Sequence, residues 1–138
     1  MARQAMLLVA DEIYYNLHGK AILQGIYSGD IFIPTNPSQA AQLIFFFAAE
    51  TDISEPFRSL LAEVILPEND PVRTPIPIQW PAVFPPSERT KISVKWPVMI
   101  PTPTLRPGKI NTRLIHESGE LIVAAPWIIQ MTPPERAN

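Results

Sequence analysis

Seventeen of the 138 residues are proline, and eleven of these lie between Pro67 and Pro107. Proline has no backbone N–H and a fixed φ, so it is kept out of helix interiors and out of strands bonded on both edges. The prolines leave few windows of ten or more residues for a helix, and helical periodicity is hard to find in them. Between the prolines stand short runs of β-branched and aromatic residues, which read as strands.

Spacing among the prolines carries a further argument. The N–H and C=O of a strand residue point to one lateral edge, and that edge alternates along the chain. Prolines two or four apart therefore delete donors from one edge only. Pro71, Pro75 and Pro77 share parity, as do Pro97, Pro101 and Pro103. Each group is expected to line the free edge of an edge strand, which also blunts edge-to-edge association. The plainer alternative is polyproline-II loop.

Residues 6–15 and 20–33 read as a first hairpin, with a turn over Asn16-Leu17-His18-Gly19. Ser38 to Gln42 is expected to form one helical turn. The run from Leu43 to Ala49 is apolar on both faces and free of charge and proline, so it belongs in the middle of a sheet or in a subunit interface. Phe45 and Phe47 are the interface candidates on that strand. Residues 57–66 read as a strand with one wetter face, with a short helix over 57–63 as the alternative. Residues 90–96 set Ile92, Val94 and Trp96 against Lys91, Ser93 and Lys95 in strict alternation. A last hairpin turns at Ser118-Gly119 and pairs Leu114 with Val123 and Ile110 with Trp127.

A chain of this length with 46% hydrophobic residues can bury one core. The expected fold is all-β: an antiparallel two-sheet sandwich of about eight short strands, immunoglobulin-like in topology, with a small barrel second. It should occupy residues 1–131 as a single domain, followed by a flexible tail over 132–138.

Eleven basic and thirteen acidic residues give a net charge of −2 with no run of like charge. No electrostatic footprint for nucleic acid or a membrane surface results. The absence of cysteine excludes disulfides, thiolate metal sites and a cysteine nucleophile, and agrees with a cytoplasmic location. The apolar stretch at residues 5–10 meets Asp11 and Glu12 too early for a signal-peptide core. Leu43 to Ala49 is too short for a membrane helix.

No catalytic motif stands out. Asp11, Glu12 and Asp30 are the best acidic candidates, but their spacing suits neither a calcium loop nor a glycosidase pair. Glu68-Asn69-Asp70 reads as a tight turn. His18 and His116 lack metal-motif spacing, and His116-Glu117-Ser118 point apart along one segment. Pro34-Thr35-Asn36-Pro37 reads as a turn rather than an SH3 ligand. Among the aromatics, Trp96 and Trp127 fall on expected buried faces, while Trp80, with Tyr14 and Tyr15, offers a stacking surface for a small ligand or a saccharide.

Ala10-Asp11-Glu12-Ile13, then Gly19-Lys20, Leu23, Gly25-Ile26-Tyr27 and Asp30-Ile31 before Pro34, give the opening a recognisable pattern. In these residues the chain resembles a family of small uncharacterised bacterial β-sandwich proteins that open with D-E-hydrophobic and then G-K-x-x-L-x-G-hydrophobic-Tyr. The likeness covers residues 10–34 well and the hairpin from Pro107-Gly108 to Gln130 loosely. Tyr14 and Tyr15 depart from the polar strand with which that family opens. The resemblance implies a bacterial cytoplasmic sandwich and brings no activity, cofactor or catalytic residue. The expected function is therefore a non-enzymatic β-sandwich interaction module without cofactor or metal, which binds a protein partner and self-associates as a homodimer. A small-ligand or saccharide-binding sandwich is the alternative.

Overall fold

The structure is a computed structural model that describes residues 3–122 and 127–133. Its strands are β1 (Gln4–Tyr15), β2 (Ala21–Ile26), β3 (Ile31–Ile33), β4 (Ser38–Gln39), β5 (Gln42–Asp52), β6 (Leu60–Ile65), β7 (Val72–Ile76), β8 (Lys91–Pro101), β9 (Thr104–Leu105), β10 (Gly108–His116), β11 (Gly119–Ile122) and β12 (Trp127–Met131). No helix forms among the described residues. One sheet, antiparallel throughout, has the order β2-β1-β5-β8; the other runs β3-β12-β10-β6-β7, with β11 also on β10, and β4-β9 is a small third pair. Among the described residues the strands number twelve rather than about eight because several two- to five-residue segments pair independently.

Alternation along each strand builds the core between the two large sheets. Leu7 and Val9 of β1, Leu43, Phe45, Phe47 and Ala49 of β5, and Val98 and Ile100 of β8 point inward from the first sheet. They meet Ile31, Ile33, Leu60, Ala62, Val64, Ile76, Ile110, Leu114 and Ile129 from the second. Phe57, in the loop before β6, closes one end and is fully buried.

The proline parity is visible in the topology. β7, which contains Pro75, and β8, which contains Pro97 and Pro101, are both edge strands. Pro71 and Pro77 flank β7, and Pro103 follows β8. β5 lies between β1 and β8, so the apolar run from Leu43 is central in its sheet.

Three local expectations change. The segment 20–33 is two strands in different sheets: Tyr27 to Asp30, with Gly29 at its bend, carries the chain from β2 across to β3. Ser38 and Gln39 form β4 against β9 instead of a helical turn, following a cis Asn36–Pro37 peptide. The last hairpin turns at Glu117-Ser118, so Leu114 pairs with Leu121 rather than Val123. Ile110 nevertheless pairs with Trp127 as expected. The two registers differ by two residues. Of the expected tail, Thr132 donates its N–H to the Ile33 carbonyl at 2.8 Å; residues 134–138 lie outside the described residues.

Candidate functional site

Each sheet turns one face away from the core, and the two outer faces differ in chemistry. On the second sheet, Glu63 of β6 is buried with its side chain 3% exposed, between Arg73 of β7 and Arg113 of β10. Arg73 Nε lies 2.7 Å from Glu63 Oε2, Arg113 Nε lies 2.7 Å from Glu63 Oε1, and Arg113 Nη1 continues to Glu120 Oε2 at 2.6 Å. Hydrogen bonds from Arg113 and Arg73 hold the Glu63 carboxyl below its ordinary range against the opposing effect of burial. This ion-paired ladder crosses the middle of the face, and Phe32 of β3 and Ile128 of β12 are exposed beyond it.

The outer face of the first sheet is apolar over its middle rows, while Gln4, Glu50 and Ser93 and the paired Asp52 and Lys91 make one end of it polar. Pairing aligns Leu8, Phe46 and Pro97 in one row, Ile26, Ala10, Ile44 and Met99 in a second, and Met6, Ala48 and Lys95 in a third. Met6, Ile26 and Met99 are 54%, 50% and 53% exposed. Ala10 and Ile44 are fully buried although they lie outside the core cluster.

A kink in the first hairpin shapes this face. Gly25 has φ 71°, and a Cβ there would stand 2.5 Å from Asp11 Oδ2. The backbone therefore needs both the freedom and the bare Cα of glycine at this point. Beyond it, Tyr15, Ala21 and Leu23 line the same space as Met6 and Leu8, from which flat alternation would separate them. The hairpin thus coils over the sheet and becomes the wall of a trough of about 770 Å³, floored by Met6, Leu8, Phe46 and Ala48, with Lys20 and Lys95 at its rim.

Acidic candidates nearby are occupied by tyrosines. Tyr27 donates its hydroxyl to Asp11 Oδ1 at 2.6 Å; burial first and this bond second push the Tyr27 phenol up to about 12. Tyr14 donates to Glu12, and that hydrogen bond raises the Tyr14 phenol. Asp30 accepts from Gln130 across β3 and β12. Among the described residues no cluster of three His, Asp or Glu side chains could hold a metal ion.

His116 has a structural environment. Its Nδ1 lies 2.9 Å from Arg3 Nη1 and accepts the Ser118 N–H at 3.2 Å, which assigns the ring proton to Nε2. Arg3 also donates to Thr51, the Glu55 carbonyl and Glu117, and its guanidinium stands 4.6 Å from the Phe57 ring centroid. His18 is exposed in the first turn.

The aromatic candidates do not converge. Tyr14 and Tyr15 are exposed at the far end of β1, whereas Trp80 sits near Ser93, which is level with Gln4 at the opposite end. Trp80 is half-buried, donates Nε1–H to the Phe57 carbonyl at 2.8 Å and packs against Phe84. Only Tyr15 lines the trough. Phe45 and Phe47 are corrected as interface residues: at 0% and 1% exposure they fill the core between the sheets. Their outward neighbour Phe46 lies on the apolar face instead. A strand apolar on both faces does not reveal which face turns inward, so the sequence alone does not single out Phe46 over Phe45 and Phe47.

No family model matches the chain, and searches of curated proteins and of solved structures match nothing to it. The functional reading rests on the chain's own geometry.

Proposed function

We propose that this chain is a non-enzymatic β-sandwich interaction module that self-associates through the outer face of the β2-β1-β5-β8 sheet. The observation that carries the reading is the contrast between the two outer faces. The Arg73–Glu63–Arg113–Glu120 ladder crosses the one, which exposes Phe32 and Ile128 only beyond it, while the middle rows of the other leave Met6, Ile26 and Met99 in water. Large exposed apolar patches on a folded chain mark contact surfaces.

The edges argue for contact through this face. β7 and β8 are interrupted by prolines and β2 is kinked at Gly25, so none offers a long unbroken ladder of donors. The rows of Leu8, Phe46 and Pro97 and of Ile26, Ala10, Ile44 and Met99 select a partner by shape and apolarity. The same face on a second copy supplies both.

Light scattering across a dilution series tests the reading. The wild-type chain is expected to show twice the monomer mass at high concentration, and Met99→Glu to show monomer mass with the cooperative melting and Tm of the dilute wild-type chain. A wild-type monomer at every concentration removes the proposal. No helix among the described residues is long and apolar enough to cross a membrane.

A further inference from the structure

The trough beside the first hairpin has features that packing against a second copy does not use. Its volume of about 770 Å³ falls within the range typical of small-molecule sites, and its floor of Met6, Leu8, Phe46 and Ala48 is apolar. Its rim carries two cations from different elements, Lys20 from the hairpin turn and Lys95 from β8. Among the described residues neither has a carboxylate within 4.0 Å. Lys91, four residues before Lys95 and on the same face of β8, is paired with both Glu50 and Asp52. The two lysines at the trough are thus left with positive charge beside an apolar floor, and charge complementarity calls for an anion with an apolar body.

We infer that the trough binds a linear aliphatic carboxylate, the chemistry of a free fatty acid, with its chain on Leu8, Phe46 and Ala48 and its carboxylate at the Lys20 and Lys95 rim. A nonpolar ligand would leave these cations unused, and a cationic amphiphile would be repelled by them. The floor is part of the face assigned above to self-association, and the inference rests on that face being a contact surface. Acyl chain and second copy then compete for the same side chains, so each weakens the other by linkage.

Isothermal titration of the full chain with dodecanoate and with dodecyltrimethylammonium, which carries the same tail under the opposite charge, tests the site. Dodecanoate is expected to bind at about one per chain and at least about tenfold more tightly than the cation, a difference of about 1.4 kcal/mol. Lys20→Gln combined with Lys95→Gln should weaken dodecanoate about tenfold, with the melting temperature unchanged because both side chains are exposed. Equal affinity for the two amphiphiles, or an unaltered affinity in the double variant, overturns the inference. So does sedimentation with anionic phosphatidylglycerol vesicles when soluble dodecanoate gives no heat. Light scattering with and without dodecanoate separates this inference from the reading beneath it. A chain that is monomeric throughout yet binds dodecanoate through the lysines keeps the trough and loses the dimer. A dimer indifferent to dodecanoate keeps the dimer and loses the trough.

Discussion

Arg3 Nη2 donates to Glu117 Oε1 at 2.7 Å, tying the start of β1 to the β10–β11 turn and so one sheet to the other. Burial would raise the Glu117 carboxyl. The Arg3 bond and the backbone N–H groups of Glu117 and Arg58 outweigh burial and bring it down to about 2. Because this lies below the ordinary 4.5, the stabilisation is complete above pH 4.5 and is lost as pH falls from there through 2. Glu117 as a residue is exposed although its side chain is 23% exposed, so after solvent screening the contribution is on the order of 1 kcal/mol. Urea unfolding at pH 7 and pH 3 is expected to show this loss in the wild type and a smaller one in Glu117→Gln. Arg3→Ala, which also removes the Arg3 hydrogen bonds to Thr51, the Glu55 carbonyl and His116, should cost about 2–3 kcal/mol at pH 7.

Glu63 gives a second acid-sensitive contact of the same sign. Its carboxyl is held below the ordinary range, so protonation on acidification removes stability. Glu63→Ala leaves Arg73 and Arg113 facing one another, but their side chains are 58% and 41% exposed and can rehydrate. The expected cost is therefore about 1–2 kcal/mol, below that of breaking a fully enclosed pair. Glu63→Leu should recover part of it, measured by urea midpoint at constant m-value.

Phe45 and Phe46 are adjacent on β5 and should respond oppositely. Phe45→Ala opens a cavity in the core and is expected to cost about 3–5 kcal/mol. Phe46→Glu faces outward and should leave the unfolding midpoint within about 1 kcal/mol of wild type, while abolishing the concentration dependence of mass. If Phe46→Glu unfolds the chain, the outer face is part of the folding core and not a contact surface.

Gly25 sets the attitude of the hairpin. Gly25→Ala meets both a left-handed backbone and the Asp11 carboxylate, and is expected to cost about 1–3 kcal/mol. Displacing Asp11 also releases the Tyr27 hydroxyl. Spectrophotometric titration should then show one tyrosine ionising below 12, the part of the rise due to burial remaining.

Legibility of this structure in its sequence follows how far each feature depends on neighbours in the chain. Ile92, Val94 and Trp96 alternate with polar residues, and the prolines of β7 and β8 fall at matched parity, so strand identity and edge position can both be read locally. The break between β2 and β3 is harder to see because Ala21–Ile26 and Ile31–Ile33 are equally apolar and only Ser28-Gly29-Asp30 separates them. Leu43 to Ala49 announces a central strand yet conceals its inner face, which is why Phe45 and Phe47 read as interface candidates in place of Phe46. The trough lay furthest from view. It arises where the coil at Gly25 brings Tyr15 and Leu23 over Met6 and Leu8, a tertiary consequence of one residue.

Pro75, Pro97 and Pro101 interrupt the outermost strands on one side of both sheets. A cross-β fibril grows by adding strand after strand to an intact row of amides, and each of these residues removes a rung. Folded chains crowded together on that side therefore have no template to extend. Growth from that side is open only to chains in which β7 or β8 has first come away from its sheet.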